Sequence, residues 1–290
     1  MAHPQIAIFA RLAGQDAKPT RVLAGQKTKL ARTMHDIRYD PVHDEMFVGN
    51  PFASAILVFR GGADGEEAPI RIIQGPRTQL SSAGGQVHRL DIDTVHNEIF
   101  VPLGNQVLVF PRNGNGDVAP LRVIRWSDTQ WSGAGSVAVD PVHDVIALGA
   151  SGGSAPVDRA RWSDINTPVP PKGGIVILNR TDNGDVKPRA VIRGPQTGIV
   201  RILQIRMYPP KGWIVATQPG RSDVEEPPGV FVGVWSIHDN GDVPARWKLG
   251  GPKSTLKKPR GVVLNPKHKE LIIADMRLNA VLTYYFPEIF

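Results

Sequence analysis

The chain is predicted to be all-β, built from tandem copies of one four-stranded unit. Three observations predict it. Short β-branched runs bounded by Gly, Pro, Asn and Asp fill its 290 residues. Such runs are strands, because the bounding residues set turn dihedrals that β-branched side chains resist. No segment sustains a helical apolar period. One order of signals, complete in Gln106–Ala150, recurs along the chain: an apolar strand ending in Phe110, a Gly/Asn/Asp turn, the strand "LRVI", a polar loop, the strand "SVAVD", the turn "PVHD" and the strand "VIALGA".

Lettering the strands of one unit a to d, the chain opens on strand c. The c strands are Ile6–Phe9, Ile56–Phe59, Val107–Phe110, Ile175–Leu178, Phe231–Trp235 and Val281–Phe286. Turns carrying Gly and Asp follow at Gly61–Glu66, Asn113–Asp117, Asp182–Asp185 and Asp239–Asp242, with a weaker one at Gly14–Asp16. Asn-Gly is a preferred hairpin turn, and these loops lack the bidentate Glu and long spacing of a calcium-binding loop, so they read as turns. A proline then opens each d strand: Pro19–Leu23, Pro69–Ile73, Pro120–Ile124, Pro188–Ile192 and Pro244–Leu249. The a strands end in Asp or a substitute: Asp36–Asp40, Arg89–Asp93, Ser136–Asp140, Gln204–Tyr208 and Gly261–Asn265. The b strands are Glu45–Val48, Glu98–Val101, Val145–Leu148, Trp213–Ala216 and Glu270–Ala274.

Phe9, Phe59 and Phe110 space the repeat at about 50 residues, the length of a propeller blade rather than a solenoid repeat. The pattern apolar-V-F, G-D-x-x-P, then G-apolar-x-apolar-D resembles the NHL-repeat β-propellers over nearly the whole chain. That resemblance implies a propeller and leaves the function open, since such propellers include both enzymes and binding modules. Residues 1–290 are read as a single propeller domain of five blades, with six as the alternative. The ring is expected to close by pairing N- and C-terminal strands, which removes open sheet edges. One c strand is then surplus, either Ile6–Phe9 or Val281–Phe286.

Composition sets bounds. The apolar share of 41% and charged share of 21% are those of a folded chain. No run approaches the roughly 18 apolar residues of a membrane-spanning helix. The opening MAHPQIAIFARL lacks the parts of a secretory signal. Either the protein stays where it is made, or a leader has been removed, which would favour an extracytoplasmic location. With no cysteine there are no disulfides and no thiolate chemistry. The net charge of +7 raises a polyanion partner. Yet the basic residues are scattered, apart from Lys253, Lys257, Lys258 and Arg260, so nucleic acid ranks last and this cluster reads as solvated charge.

In an antiparallel blade the d–a and b–c connections share one face. The irregular segments stand there: b–c insertions at 151–173 and 218–229, and the loop Arg125–Gly135. Insertions on one face of a repeat protein commonly mark the binding face. Three groups lie on it. His35 and His88 hold the same repeat position, and with Asp36 they are the candidates for catalysis or metal binding. A zinc site needs a third ligand, and no metal or cofactor is assigned. On the a strands, Ile37 and Tyr39, Ile205 and Met207 should pack between blades. Arg38, Asp91 and Arg206 should point to the axis, with Asp91 paired to an arginine. Arg38, Arg206 and Arg260 are candidate anion ligands. Trp126, Trp131 and Trp162, in polar loops, could stack on a sugar or a partner's anchor residue. The histidines of the a–b turns, His43, His96, His143 and His268, recur in every unit but one, which argues for structure.

Two functions compete. The first is a non-catalytic module binding a small anion, a carbohydrate or a protein through the tryptophan loops and insertions. The alternative is a lactonase- or lyase-like enzyme at the channel mouth around His35 and His88. Two histidines and more arginine than carboxylate favour the first.

Overall fold

Strands form where the repeat places them, within three residues at either end except in the longest hairpin. The computed structural model describes residues 4–31, 34, 36–81, 89–126, 131–152, 172–220 and 225–290. The architecture is all-β, five antiparallel sheets arranged as a five-bladed β-propeller. The first blade runs β3 (Ile37–Asp40), β4 (Glu45–Asn50), β5 (Ala55–Arg60), β6 (Arg71–Ile73). The second runs β7 (Asp91–Asp93), β8 (Glu98–Leu103), β9 (Gln106–Pro111), β10 (Arg122–Trp126). The third holds β11 (Trp131–Asp140), β12 (Val145–Gly152), β13 (Gly174–Asn179) and β15 (Ala190–Arg193); the short β14 (Gly184–Val186) leaves it to pair in parallel with β10. The fourth is β16 (Ile205–Tyr208), β17 (Trp213–Gln218), β18 (Phe231–Ser236), β19 (Trp247–Gly250). The fifth has three strands, β20 (Pro259–Asn265), β21 (Glu270–Asp275) and β22 (Ala280–Tyr285). Among the described residues no helix is long and apolar enough to cross a membrane.

The chain ends differ from expectation. β1 (Gln5–Ile8) pairs with β2 (Arg21–Ala24), Gln5 opposite Ala24, in a two-stranded sheet of their own. β22 fills the c position against β21. The expected strand pairing between the termini is therefore replaced by a local hairpin, which closes a much shorter loop. The surplus c strand is β1, and it takes its d strand with it.

Contacts divide the chain into two compact units, residues 1–103 with 109–121, and 104–108 with 122–290. In the first, Leu23, Val48, Leu57 and Phe59 share a buried cluster. In the second, Ile175, Ile177, Ile205, Phe231 and Trp235 do, and a further cluster joins Val232, Val262, Leu271 and Ile273. Each such side chain contributes about 1.5–3 kcal/mol by leaving water.

The Gly/Asp turns do more than reverse the chain. In the first unit, β2 lies along the turn after β5: Val22 N donates to Asp64 Oδ1 (3.0 Å), Leu23 bridges Gly65, and Ala24 N donates to Gly65 O (2.9 Å). β6 meets the turn after β9 the same way, through Asn115, Gly116 and Asp117. In the second unit, β10 meets Asn183 and Gly184, and β15 meets Asn240, Gly241 and Asp242. A one-turn 3-10 helix follows three of these d strands, at Gln26–Thr28, Pro76–Thr78 and Pro195–Thr197. Its buried threonine closes on the preceding glycine carbonyl (2.6, 2.6 and 2.7 Å), and a turn carboxylate, from Glu66, Asp117 or Asp242, takes its free N–H. The a–b turns repeat with equal regularity. Buried Asp40, Asp93 and Asp140 each accept two backbone N–H groups and pair with His43, His96 and His143 Nδ1 at 2.7–2.8 Å.

Glu45 opens β4 between two arginines, Arg71 bidentate at 2.7 Å and Arg112 at 2.6 Å. The Arg71 hydrogen bonds outweigh desolvation and hold its carboxyl below the usual range. A carboxyl whose folded pKa is depressed stabilises the fold above its unfolded pKa and loses that contribution as pH falls through the folded one. Glu45→Gln is thus expected to lower the melting temperature at pH 7 and to flatten its fall below about pH 4, as calorimetry across a pH series would show.

Candidate functional site

In the second unit, the b–c connection between β17 and β18 and the d–a connection between β19 and β20 border a cleft of about 270 Å³. Glu226, Pro227 and Val230 line it from one side, and Gly251, Thr255, Leu256 and Lys257 from the other. This is the face on which the 218–229 insertion was expected to stand. Gly220 has φ +71, and a Cβ there would come 2.6 Å from Pro227 Cγ, so glycine lets the insertion fold back on itself. The opposite wall is fixed from beneath. Buried Asp275 accepts Lys257 N and Lys258 N (both 2.8 Å) through one oxygen, and Arg277 N and Leu278 N (3.0 and 3.2 Å) through the other.

Charge ties the walls together. Glu226 meets Lys257 Nζ and Arg277 Nε, each at 3.1 Å, and Arg277 Nη2 reaches Glu225 at 3.2 Å. Lys257 first, and then Arg277, hold the Glu226 carboxyl below its ordinary range. Elsewhere on β19, Lys248 Nζ sits 4.0 Å from the centroid of the Phe231 ring, the distance of a cation–π contact. The arrangement can bind and orient an anion.

The basic cluster read from sequence as solvated is so only at Lys253 and Lys257, which are exposed. Lys257 lines the cleft, Lys258 is buried, and Arg260 Nε is buried without a hydrogen-bond partner. Glu225, Glu226 and Arg277 were missed. Their signal was the pair "EE" beside two prolines inside the insertion, but nothing in the sequence joins it to Arg277, 51 residues on from Glu226.

The arginine group is partly realised. In the first unit Arg38 Nε donates to Asp91 Oδ1 (2.7 Å), the ion pair expected of Asp91, and Nη1 donates to Asp36 Oδ1 (2.8 Å). Arg38 Nη2 is buried without a hydrogen-bond partner. Arg38 is thus buried against Asp91, on the side expected of it, whereas Ile37 and Tyr39, expected to pack between blades, are exposed. The expected packing holds in β16, where Ile205 and Met207 are buried. In the second unit Arg206, half-buried, donates from Nη1 to Ile205 O (3.0 Å). Arg260 O accepts Thr217 Oγ1 (3.4 Å).

Of the tryptophans, Trp126 ends β10 and is only 2% exposed, so it is no open stacking platform. The expected loop Arg125–Gly135 is shorter than predicted: β10 continues to Trp126, and β11 starts at Trp131, lengthened by bulges near Ala134. His35, His88, Trp162, the side chain of Trp131 and most of the 151–173 insertion lie outside the described residues. Among the described residues, no group of three His, Asp or Glu could hold a metal ion.

No family model matches the chain, and no curated protein does. Solved structures match its fold. A candidate 6-phosphogluconolactonase from Bacteroides uniformis superimposes with a TM-score of 0.54 at 14% identity over 87% of the chain. A chain of the mitotic checkpoint complex does so with 0.55 at 13% identity over 92%. The chain spans 66% of each, just under two thirds of their length.

Proposed function

We propose that the whole chain works as one propeller domain of the NHL-like kind and as a non-catalytic binding module. Its ligand, held on the face of the d–a loops and b–c insertions, is a small anion or carbohydrate acid, or an acidic segment of a protein. The observation that carries this reading is the cleft at Glu226 and Lys257, whose acid is already paired with two cations that a ligand carboxylate could claim. Sugar acids such as gluconate and glucuronate test it, since they combine carboxylate and polyol. Addition at a hundred times Kd should stabilise the fold by about 2.7 kcal/mol. Lys257→Ala, at a half-exposed side chain, should leave the unliganded melting temperature in place and remove the shift. Trp131→Ala and Trp162→Ala should diminish any ligand-induced fluorescence change while leaving folding intact. An unaltered shift in Lys257→Ala would sink the site.

The second reading, a lactone-opening enzyme around His35, His88 and Asp36, draws support from buried Arg38, whose Nη2 has no hydrogen-bond partner and could serve a substrate oxygen. Proton release from gluconolactone above the uncatalysed rate, lost in His35→Ala and His88→Ala, would replace the binding reading with this one.

A further inference from the structure

The sequence holds four Asn-Gly bonds, at Asn113, Asn115, Asn183 and Asn240. Each carries a reactive pair of its own. The glycine amide nitrogen can approach the asparagine Cγ with no side chain in its way, because glycine has no Cβ. What the fold does to the two groups decides whether they meet.

Three of the four are held on both sides. Asn115 Oδ1 accepts Ile72 N (3.1 Å), and Gly116 N donates to Ile72 O (2.6 Å). Asn240 Oδ1 accepts Val191 N (3.0 Å), and Gly241 N donates to Val191 O (2.8 Å). Asn183 Oδ1 accepts Val123 N (3.2 Å), and Gly184 pairs with Ile124. In each case the turn must leave its d strand before the amide can reach Cγ. Asn113 differs. Its side chain is exposed and, among the described residues, has no hydrogen-bond partner. Gly114 is buried and its N–H donates to Pro111 O (2.9 Å), but that bond lies within one turn, and its opening separates no strands.

We propose that Asn113 is a site of spontaneous covalent modification, where the Gly114 amide converts the asparagine to aspartate and isoaspartate, and that the product loosens the turn's hold on β6. The Gly114 nitrogen gives its proton to water and bonds to Asn113 Cγ, the Cγ–Nδ2 bond breaks, and ammonia leaves a succinimide. Water then opens the ring at either carbonyl. One water is consumed, one ammonia is released, and a carboxylate is gained with no oxidant or reductant. Opening at the main-chain carbonyl leaves isoaspartate, which carries the backbone through the side chain and lengthens it by a methylene. That insertion falls two residues before Asn115, the anchor of Ile72. The new carboxylate also stands next to Arg112, whose Nη1 donates to Glu45 Oε2 (2.6 Å). None of these residues borders the cleft of the ligand-binding reading, so either proposal can fail alone.

The test is incubation of the full chain at mildly alkaline pH, folded and in urea, with peptide mapping of all four sites by mass spectrometry. Conversion of a held site tracks the population of its opened turn. In the folded protein Asn113 should therefore convert about tenfold faster than the other three, or more. In urea the four should converge. Conversion led by Asn115, or Asn113 no faster than the rest in the folded protein, overturns the site. Asn113→Gln, at an exposed side chain, should keep the melting temperature and abolish the fast conversion. Hydrogen exchange in β6 should then quicken on ageing in the wild type and not in Asn113→Gln. Exchange that stays equal in the two overturns the link to β6.

Discussion

Arg38→Ala should destabilise the protein by about 3–5 kcal/mol, the largest loss expected from any single side chain outside the apolar clusters. The side chain is 9% exposed and lies between Asp36, 2% exposed, and Asp91, 14% exposed. Removing the guanidinium takes away the cation that the two carboxylates share, which costs more than the Coulomb energy of either pair alone. Asp91→Asn removes one charge and keeps the shape, so its loss should be smaller, about 1–3 kcal/mol. The double variant should lose less than the sum of the two, because the charge left unpaired by the first change is gone in the second. Urea titration of the four proteins measures that coupling; strictly additive losses would mean that the pair does not interact between the two sheets.

Gly194→Ala should cost about 2–4 kcal/mol, although it adds a single methyl group. Gly194 has φ +141, and a Cβ there would lie 2.2 Å from Asp242 Cγ. The substitution must therefore expel the carboxylate that accepts Gln196 N and separate β15 from the turn it grips. Gly135→Ala is the control. It lies in the same unit, and its Cβ would meet nothing within 4 Å, so its effect should stay within about 0.5 kcal/mol. Thermal unfolding of both would show whether the turns lock neighbouring strands or only reverse the chain.

The strand order was legible because each strand announces itself locally. β-branched runs and the Asn-Gly-Asp and Pro-Val-His-Asp punctuation repeat about every 50 residues, and register follows from alternation. The pairing of Arg38 with Asp91 was legible too, since both occupy the same strand position one repeat apart. The second carboxylate on Arg38, Asp36, two residues back, was not, and neither was the exposure of Tyr39. The fate of the ends was hidden because identical local signals serve a closing strand and a free hairpin. The cleft escaped notice for a different reason. Glu226, Lys257 and Arg277 lie in three connections, and charges brought together by topology carry no periodic mark.

Hydrogen exchange with and without gluconate, followed peptide by peptide, tests the loop-face proposal most directly. Slowed exchange confined to the stretches 225–230 and 251–258, with the turns at 40–45, 93–98 and 140–144 unchanged, is the expected result. Protection concentrated in those a–b turns, or no protection at saturating gluconate, would contradict it.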